Sequence, residues 1–119
     1  MIKGIGIDIV ELKRIEAAIH RHKSFVDRIL TNKEQSFFHK LSETRKVEFL
    51  AGRFAAKEAF AKAVGSGIGK NLSWQDVEII PDENGKPILK CNTEVGQIHV
   101  SISHSKEYAV ANVTIECII

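Results

Sequence analysis

Two carboxylates stand where the surrounding residues do not explain them. Glu58 lies within FLAGRFAAKEAFAKAVGSGIGK, residues Phe49 to Lys70, among small and apolar side chains, and Asp8 lies within GIGIDIV, among isoleucines and glycines. Traced at helical spacing, Val47, Leu50, Ala51, Phe54 and Ala55 share one face, and Glu58, eleven residues after Val47, projects from the same stripe. Lys62 follows one turn later; Arg53 and Lys57 lie on a flank. A bare carboxylate in a core is costly unless a cation or hydrogen bonds offset its desolvation. Two compensations are open: an i,i+4 ion pair between Glu58 and Lys62 at the edge of the core, or a divalent metal held by Glu58 together with Asp8. A site with only two carboxylates suits Mg2+, which keeps waters and takes its remaining ligands from a substrate phosphate.

Other polar groups are weaker candidates. GSGIGK, Gly65 to Lys70, has a phosphate-cradle look, but such a loop needs a strand before it and a helix after it, so that the helix N-terminus faces the anion. Here the helix comes first, so the stretch reads as a glycine-rich helix end whose N–H groups are at most a border for an anionic ligand. His104 sits in SISHSKE between Ser103 and Ser105, at the mouth of an expected hairpin, where a histidine by itself is commonly structural or solvated. His20, His22, His39 and His99 have no ligand spacing, and no nucleophile–histidine–carboxylate arrangement emerges. Cys91 and Cys117 have neither metal-ligand spacing nor the density of a disulfide scaffold.

The elements that must position these residues are readable from periodicity. Ile2 to Val10 alternates, with Ile5, Ile7 and Ile9 on one side and Gly4, Gly6 and Asp8 on the other: a strand with a buried face and a bare one. Its glycines leave room for another backbone or a ligand beside Asp8. A helix from about Glu11 to His22 buries Leu12, Ile15 and Ile19 and carries Arg14, Ala18, Arg21 and Phe25 on its other side. TNKE, Thr31 to Glu34, is a capping box that starts a second helix with Phe37, Phe38 and Leu41 as its apolar contacts. Ser42 caps a third and longest helix running to about Val64, which Gly65 ends. DVEII, PILK, GQIHVSIS and EYAVANVTIECII then read as strands, the last two joined by HSKE as a hairpin. One strand, three helices and four strands give an α+β fold with a mostly antiparallel sheet.

With 119 residues, 44% hydrophobic and 27% charged, the chain is expected to form one globular domain over 1–119. The N-terminal stretch lacks the long apolar run of a signal peptide and nothing reaches the length of a membrane span, so no membrane role is expected and the cytoplasm is the default location. A net charge of +2 does not argue for nucleic acid, and none is expected. Its distribution says more. Lys13, Arg14, Arg21, Lys23 and Arg28 outnumber Glu16 and Asp27, and Arg45, Lys46, Arg53, Lys57, Lys62 and Lys70 outnumber Glu48 and Glu58. Such local excesses suit an anionic small molecule or an acidic protein surface. The apolar row Ala109, Ala111, Val113, Ile115, Cys117 and Ile119, with Val110 and Ile118 on the opposite face, gives weak support to self-association.

GIGIDIVELKRI, FLAGRFAAKEAFAKA and VSISHSKEYAVA, in that order and at this length, closely resemble the holo-[acyl-carrier-protein] synthases, small bacterial-type 4′-phosphopantetheinyl transferases. The resemblance implies a homotrimer with sites at subunit interfaces. It also implies a Mg2+-dependent enzyme that moves 4′-phosphopantetheine from coenzyme A to a serine of apo acyl carrier protein, releases adenosine 3′,5′-bisphosphate and supports fatty acid biosynthesis. It assigns Mg2+ to Asp8 and Glu58, and catalysis to Glu58, as general base directly or through a bound water, with Lys62 neutralising the pyrophosphate. By the same resemblance Arg53, Lys62, His104 and Ser105 hold coenzyme A. The basic face of Arg14, Arg21 and Phe25 is expected to meet the acidic carrier protein. A non-catalytic nucleotide-binding module and a structural interaction domain are the rival classes.

Overall fold

A computed structural model describes residues 1–117. β1 (Ile2–Glu11) runs directly into α1 (Leu12–Arg21), followed by α2 (Phe25–Ile29), α3 (Asn32–Phe38) and the long α4 (Glu43–Val64). A 3-10 turn at Trp74–Asp76 leads to β2 (Val77–Pro81), β3 (Pro87–Cys91), β4 (Gln97–His104) and β5 (Tyr108–Glu116). The expected α+β order holds, and every strand pair is antiparallel. The strands divide into two sheets, β1-β5-β4 and the hairpin β2-β3.

Helix ends follow their local chemistry. Thr31 and Glu34 form the expected capping box, Ser42 Oγ accepts the N–H of Arg45 at 3.4 Å, and Gly65 closes α4 at φ 94°. The hairpin between β4 and β5 is closed by Ser105 N–H on Tyr108 O at 2.8 Å. Two expectations about the helices fail. Phe25 is not on the first helix, which stops at Arg21; it opens the separate short helix α2. Phe37 is exposed, so Phe38 alone makes the deep contact from α3.

The face that β1 covers is the reverse of the expected one. Its glycine side packs on α4, while Ile5, Ile7 and Ile9 are 65%, 59% and 63% exposed. A Cβ on Gly4 or Gly6 would lie 2.1 Å from Ala63 O or 1.9 Å from Ala59 O, so the bare face exists to let helix backbone touch strand. The row Ala109, Ala111, Val113 and Ile115 faces the same core, which its own chain covers. It leaves no surface for association; Cys117 is exposed, and Ile118 and Ile119 lie outside the described residues. Nor does α4 have the single apolar stripe traced from Val47. Its buried residues, from Leu50 and Ala51 through Ala56 and Lys57 to Phe60 and Ala61, go round the helix.

Candidate active site

The close packing of β1 on α4 brings Asp8 and Glu58 together. Both line a cleft of about 380 Å³, which Arg14 and Ala18 of α1, Phe25 of α2 and Phe54 of α4 also border. Burial, and then the charge of Asp8, push the Glu58 carboxyl above its ordinary range, while Lys62 opposes both. Of the two compensations left open for Glu58, the ion pair with Lys62 is not formed. Lys62 Nζ reaches across to β1, donating to Asp8 Oδ1 at 3.1 Å and to Ile7 O at 2.9 Å. Lys62 thus pairs with Asp8 and acts on Glu58 only through its charge. Among the described residues no cluster of three metal-binding side chains exists. The donor set therefore fits a hard cation that completes its shell with water and substrate oxygens, as Mg2+ does.

Arg53 and His104 belong to a different recess, of about 190 Å³, bordered also by Arg45, Glu48 and Phe49. The Arg53 guanidinium lies 3.9 Å over the Phe49 ring and donates from Nη2 to Ile79 O at 3.4 Å. Burial pulls its pKa down to about 10, against the opposing charge of Glu34. His104 Nδ1 is 3.8 Å from Glu48 Oε2, and Ser105 Oγ accepts the N–H of Tyr108 at 3.2 Å inside the hairpin turn. The two recesses share no lining residue. Helix geometry explains this: five residues separate Arg53 from Glu58, which turns them roughly 140° apart around α4. Arg21 lines neither recess and stands on the exposed face of α1.

Lys57 is not part of a basic flank. It is fully buried, and its Nζ donates to Glu34 Oε1 and Ile29 O, each at 2.7 Å, and to Trp74 O at 3.1 Å. Burial lowers its pKa and Glu34 works against that shift. A signal was present in the sequence: its helical neighbours Phe54, Phe60 and Ala61 are apolar. Arg45, which the sequence offered only as one of a basic run, is brought beside Arg53 and His104. GSGIGK is an exposed turn in which Gly65, Gly67 and Gly69 take positive φ, as a helix end requires.

The profile of the 4′-phosphopantetheinyl transferase superfamily matches residues 4–113, which include every residue of both recesses. The holo-[acyl-carrier-protein] synthase of Geobacillus sp. (strain WCH70) is 62% identical over 116 residues, covering 98% of each chain. The chain belongs to the holo-[acyl-carrier-protein] synthase family of phosphopantetheinyl transferases. The synthase of Bacillus pumilus (strain SAFR-032) is 60% identical over 117 residues, covering 98% of this chain and 97% of its own. Among solved structures, the synthase of Bacillus anthracis str. Ames, a complex with CoA (3′,5′-ADP), superposes with a TM-score of 0.92 at 55% identity, covering 98% of each chain. This transferase is therefore an enzyme whose fold and sequence match its family from end to end. Among its described residues no helix is long and apolar enough to cross a membrane.

Proposed function

We propose that the chain is a single phosphopantetheinyl transferase domain that moves 4′-phosphopantetheine from coenzyme A to a serine of apo acyl carrier protein, in the cytoplasm and in support of fatty acid biosynthesis. The observation that carries this reading is one cleft that unites an acidic pair, Asp8 and Glu58, with a basic and aromatic wall, Arg14 and Phe25. Asp8 and Glu58 would hold Mg2+, which when bound orients a pyrophosphate and offsets the charge that develops on its oxygens. Glu58, directly or through a bound water, accepts the proton of the serine hydroxyl. The serine oxygen bonds to the phosphorus that carries pantetheine. The bond from that phosphorus to the bridging oxygen breaks, and its electron pair leaves with adenosine 3′,5′-bisphosphate. Lys62, already at Asp8, keeps a positive charge beside the pyrophosphate. Arg53, His104 and Ser105 hold the nucleotide's phosphates, and Arg14, Arg21 and Phe25 receive the acidic carrier helix.

The working form is a homotrimer with shared sites. Two observations favour it: the nucleotide half and the carboxylate half of the site open as separate recesses, and β1 exposes three isoleucines in a row. Intact mass spectrometry of apo carrier protein incubated with the chain, coenzyme A and Mg2+ tests the activity. The carrier should gain the mass of one phosphopantetheine, and only when all three are present. Coenzyme A binding with no mass gain would instead establish a non-catalytic binding module.

A further inference from the structure

Resting on the reading of Arg53 as a phosphate ligand, we infer that Glu34 is a positioning residue for the nucleotide half of the site, acting on Arg53 through the backbone of Ile79. Lys57 spends all three of its N–H groups on Glu34, Ile29 O and Trp74 O, so it presents none to a substrate. What it does is hold Glu34. The Glu34 carboxylate accepts three bonds: Oε1 accepts from Lys57 and from Thr31 N–H at 2.8 Å, and Oε2 accepts from Ile79 N–H at 2.8 Å. In an extended strand the N–H and C=O of one residue leave on the same side. Ile79 therefore turns both groups off the edge of β2, toward α3 and α4. Glu34 takes its donor, and Arg53 Nη2 donates to its acceptor.

Little else fixes the guanidinium. Arg53 Nε is buried with no hydrogen-bond partner among the described residues, which leaves the Phe49 ring and Ile79 O as its anchors. An arginine recognises phosphate through a planar fork, so its orientation matters as much as its charge. Glu34 supplies both controls. It pins the carbonyl that aims the fork, and it is the anion facing two cations, Arg53 and Lys57, one turn apart on α4. Its charge also opposes the burial that lowers the Arg53 pKa.

Calorimetric titration of adenosine 3′,5′-bisphosphate into Glu34→Gln, Arg53→Ala and the double variant tests this. Glu34→Gln should weaken binding about tenfold, the scale of one charge-assisted hydrogen bond. Arg53→Ala should weaken it at least as much, and the double variant should be no weaker than Arg53→Ala alone. Because Glu34→Gln strands a buried lysine, the pair Glu34→Gln/Lys57→Gln, which removes both charges together, is titrated in parallel with the same expectation. A merely structural Glu34 would lower the melting temperature and leave the affinity of the folded protein within twofold of the wild type. That result, or losses that multiply in the double variant, would overturn the inference while leaving Arg53 as a phosphate ligand. Unchanged binding in Arg53→Ala would overturn both.

Discussion

Gly6→Ala is the smallest change that should separate the two carboxylates. The added Cβ would lie 1.9 Å from Ala59 O and 2.8 Å from Ala63 N, both backbone atoms of α4 that no side-chain rotation can move. Ordinary contact begins at 3.4 Å, so strand and helix must part by about 1.5 Å. Overpacking at a helix–strand contact costs about 3 kcal/mol at the upper end of its usual range. For a chain of this size that lowers the melting temperature by roughly 10 °C. The separation falls beside the site, because Ala59 follows Glu58 and Gly6 is two residues before Asp8. Misplacing reacting groups by about 1 Å costs on the order of a hundredfold in rate. Both effects are read on one preparation, by thermal denaturation at fixed protomer concentration and by turnover at a temperature where circular dichroism shows full folding. Gly52→Ala is the control for stability alone: its Cβ would meet only the side-chain Cγ2 of Ile102, at 3.0 Å, which can yield, but Gly52 lines the recess of Arg53, so turnover is compared with the wild type. A Gly6→Ala protein that matches Gly52→Ala in stability and the wild type in turnover would refute the account of why β1 is bare.

Asp8→Ala and Glu58→Ala should each abolish transfer at any Mg2+ concentration while the circular dichroism spectrum stays that of the wild type; near-normal turnover in either at low Mg2+ would remove the metal site. Ile7→Glu places a charge in the exposed row of β1. Light scattering should then report a monomer with turnover reduced on the order of a hundredfold, and a fully active monomer would exclude shared sites. Arg14→Glu combined with Arg21→Glu should raise KM for the carrier protein roughly tenfold, leave KM for coenzyme A within twofold and remove much of the salt dependence. Asp76 is held below its ordinary value of 3.8 by the backbone N–H of Ser73 and by Asn92. Its contribution to stability is therefore complete above about pH 4 and is lost as the pH falls through its depressed folded value, so Asp76→Asn should flatten the acid limb of the stability curve.

What was legible in the sequence is what is local. Thr31 with Glu34, Ser42, Gly65 and the HSKE turn each act within a few residues, and each stands where it was read. Alternation along β1 was equally legible, but not which side is covered, because a glycine face looks bare until the helix that needs it is known. Helix α2 was not legible for the same reason. Its five residues have no side-chain cap, and the carbonyls of Asp27, Arg28 and Leu30 are satisfied by Gln75 Nε2, more than forty residues away, at 3.0, 3.1 and 2.9 Å. The carboxylate pair was suspected from residue type alone. The partner of Lys62 is not legible, since a lysine one helical turn from Glu58 can bond across to β1 instead. Lys57 shows the limit most plainly. A helix buried all round has no flank, so a stripe drawn from Val47 could not tell a surface lysine from one sealed against Glu34.

The same helix bears on the proposed sharing of sites between copies. Arg53 and Glu58 leave α4 on different sides: Arg53 is stacked on Phe49, and Glu58 projects beside the strand that α4 touches at Gly6. A coenzyme A that needs a carboxylate-held cation at its pyrophosphate and arginines at its other phosphates would have to draw them from two copies. β1 is an edge strand of the three-stranded sheet, and edge strands that expose apolar rows invite pairing or packing. Across its outer face the rows Ile5–Thr114–His99, Ile7–Asn112–Ser101 and Ile9–Val110–Ser103 pass from apolar at β1 to polar at β4. In the proposed trimer, that gradient would put the self-association surface at β1, on the opposite side of the strand from Asp8. A neighbour seated there is held against the element that carries the first metal ligand, so assembly and site completion would depend on the same ten residues.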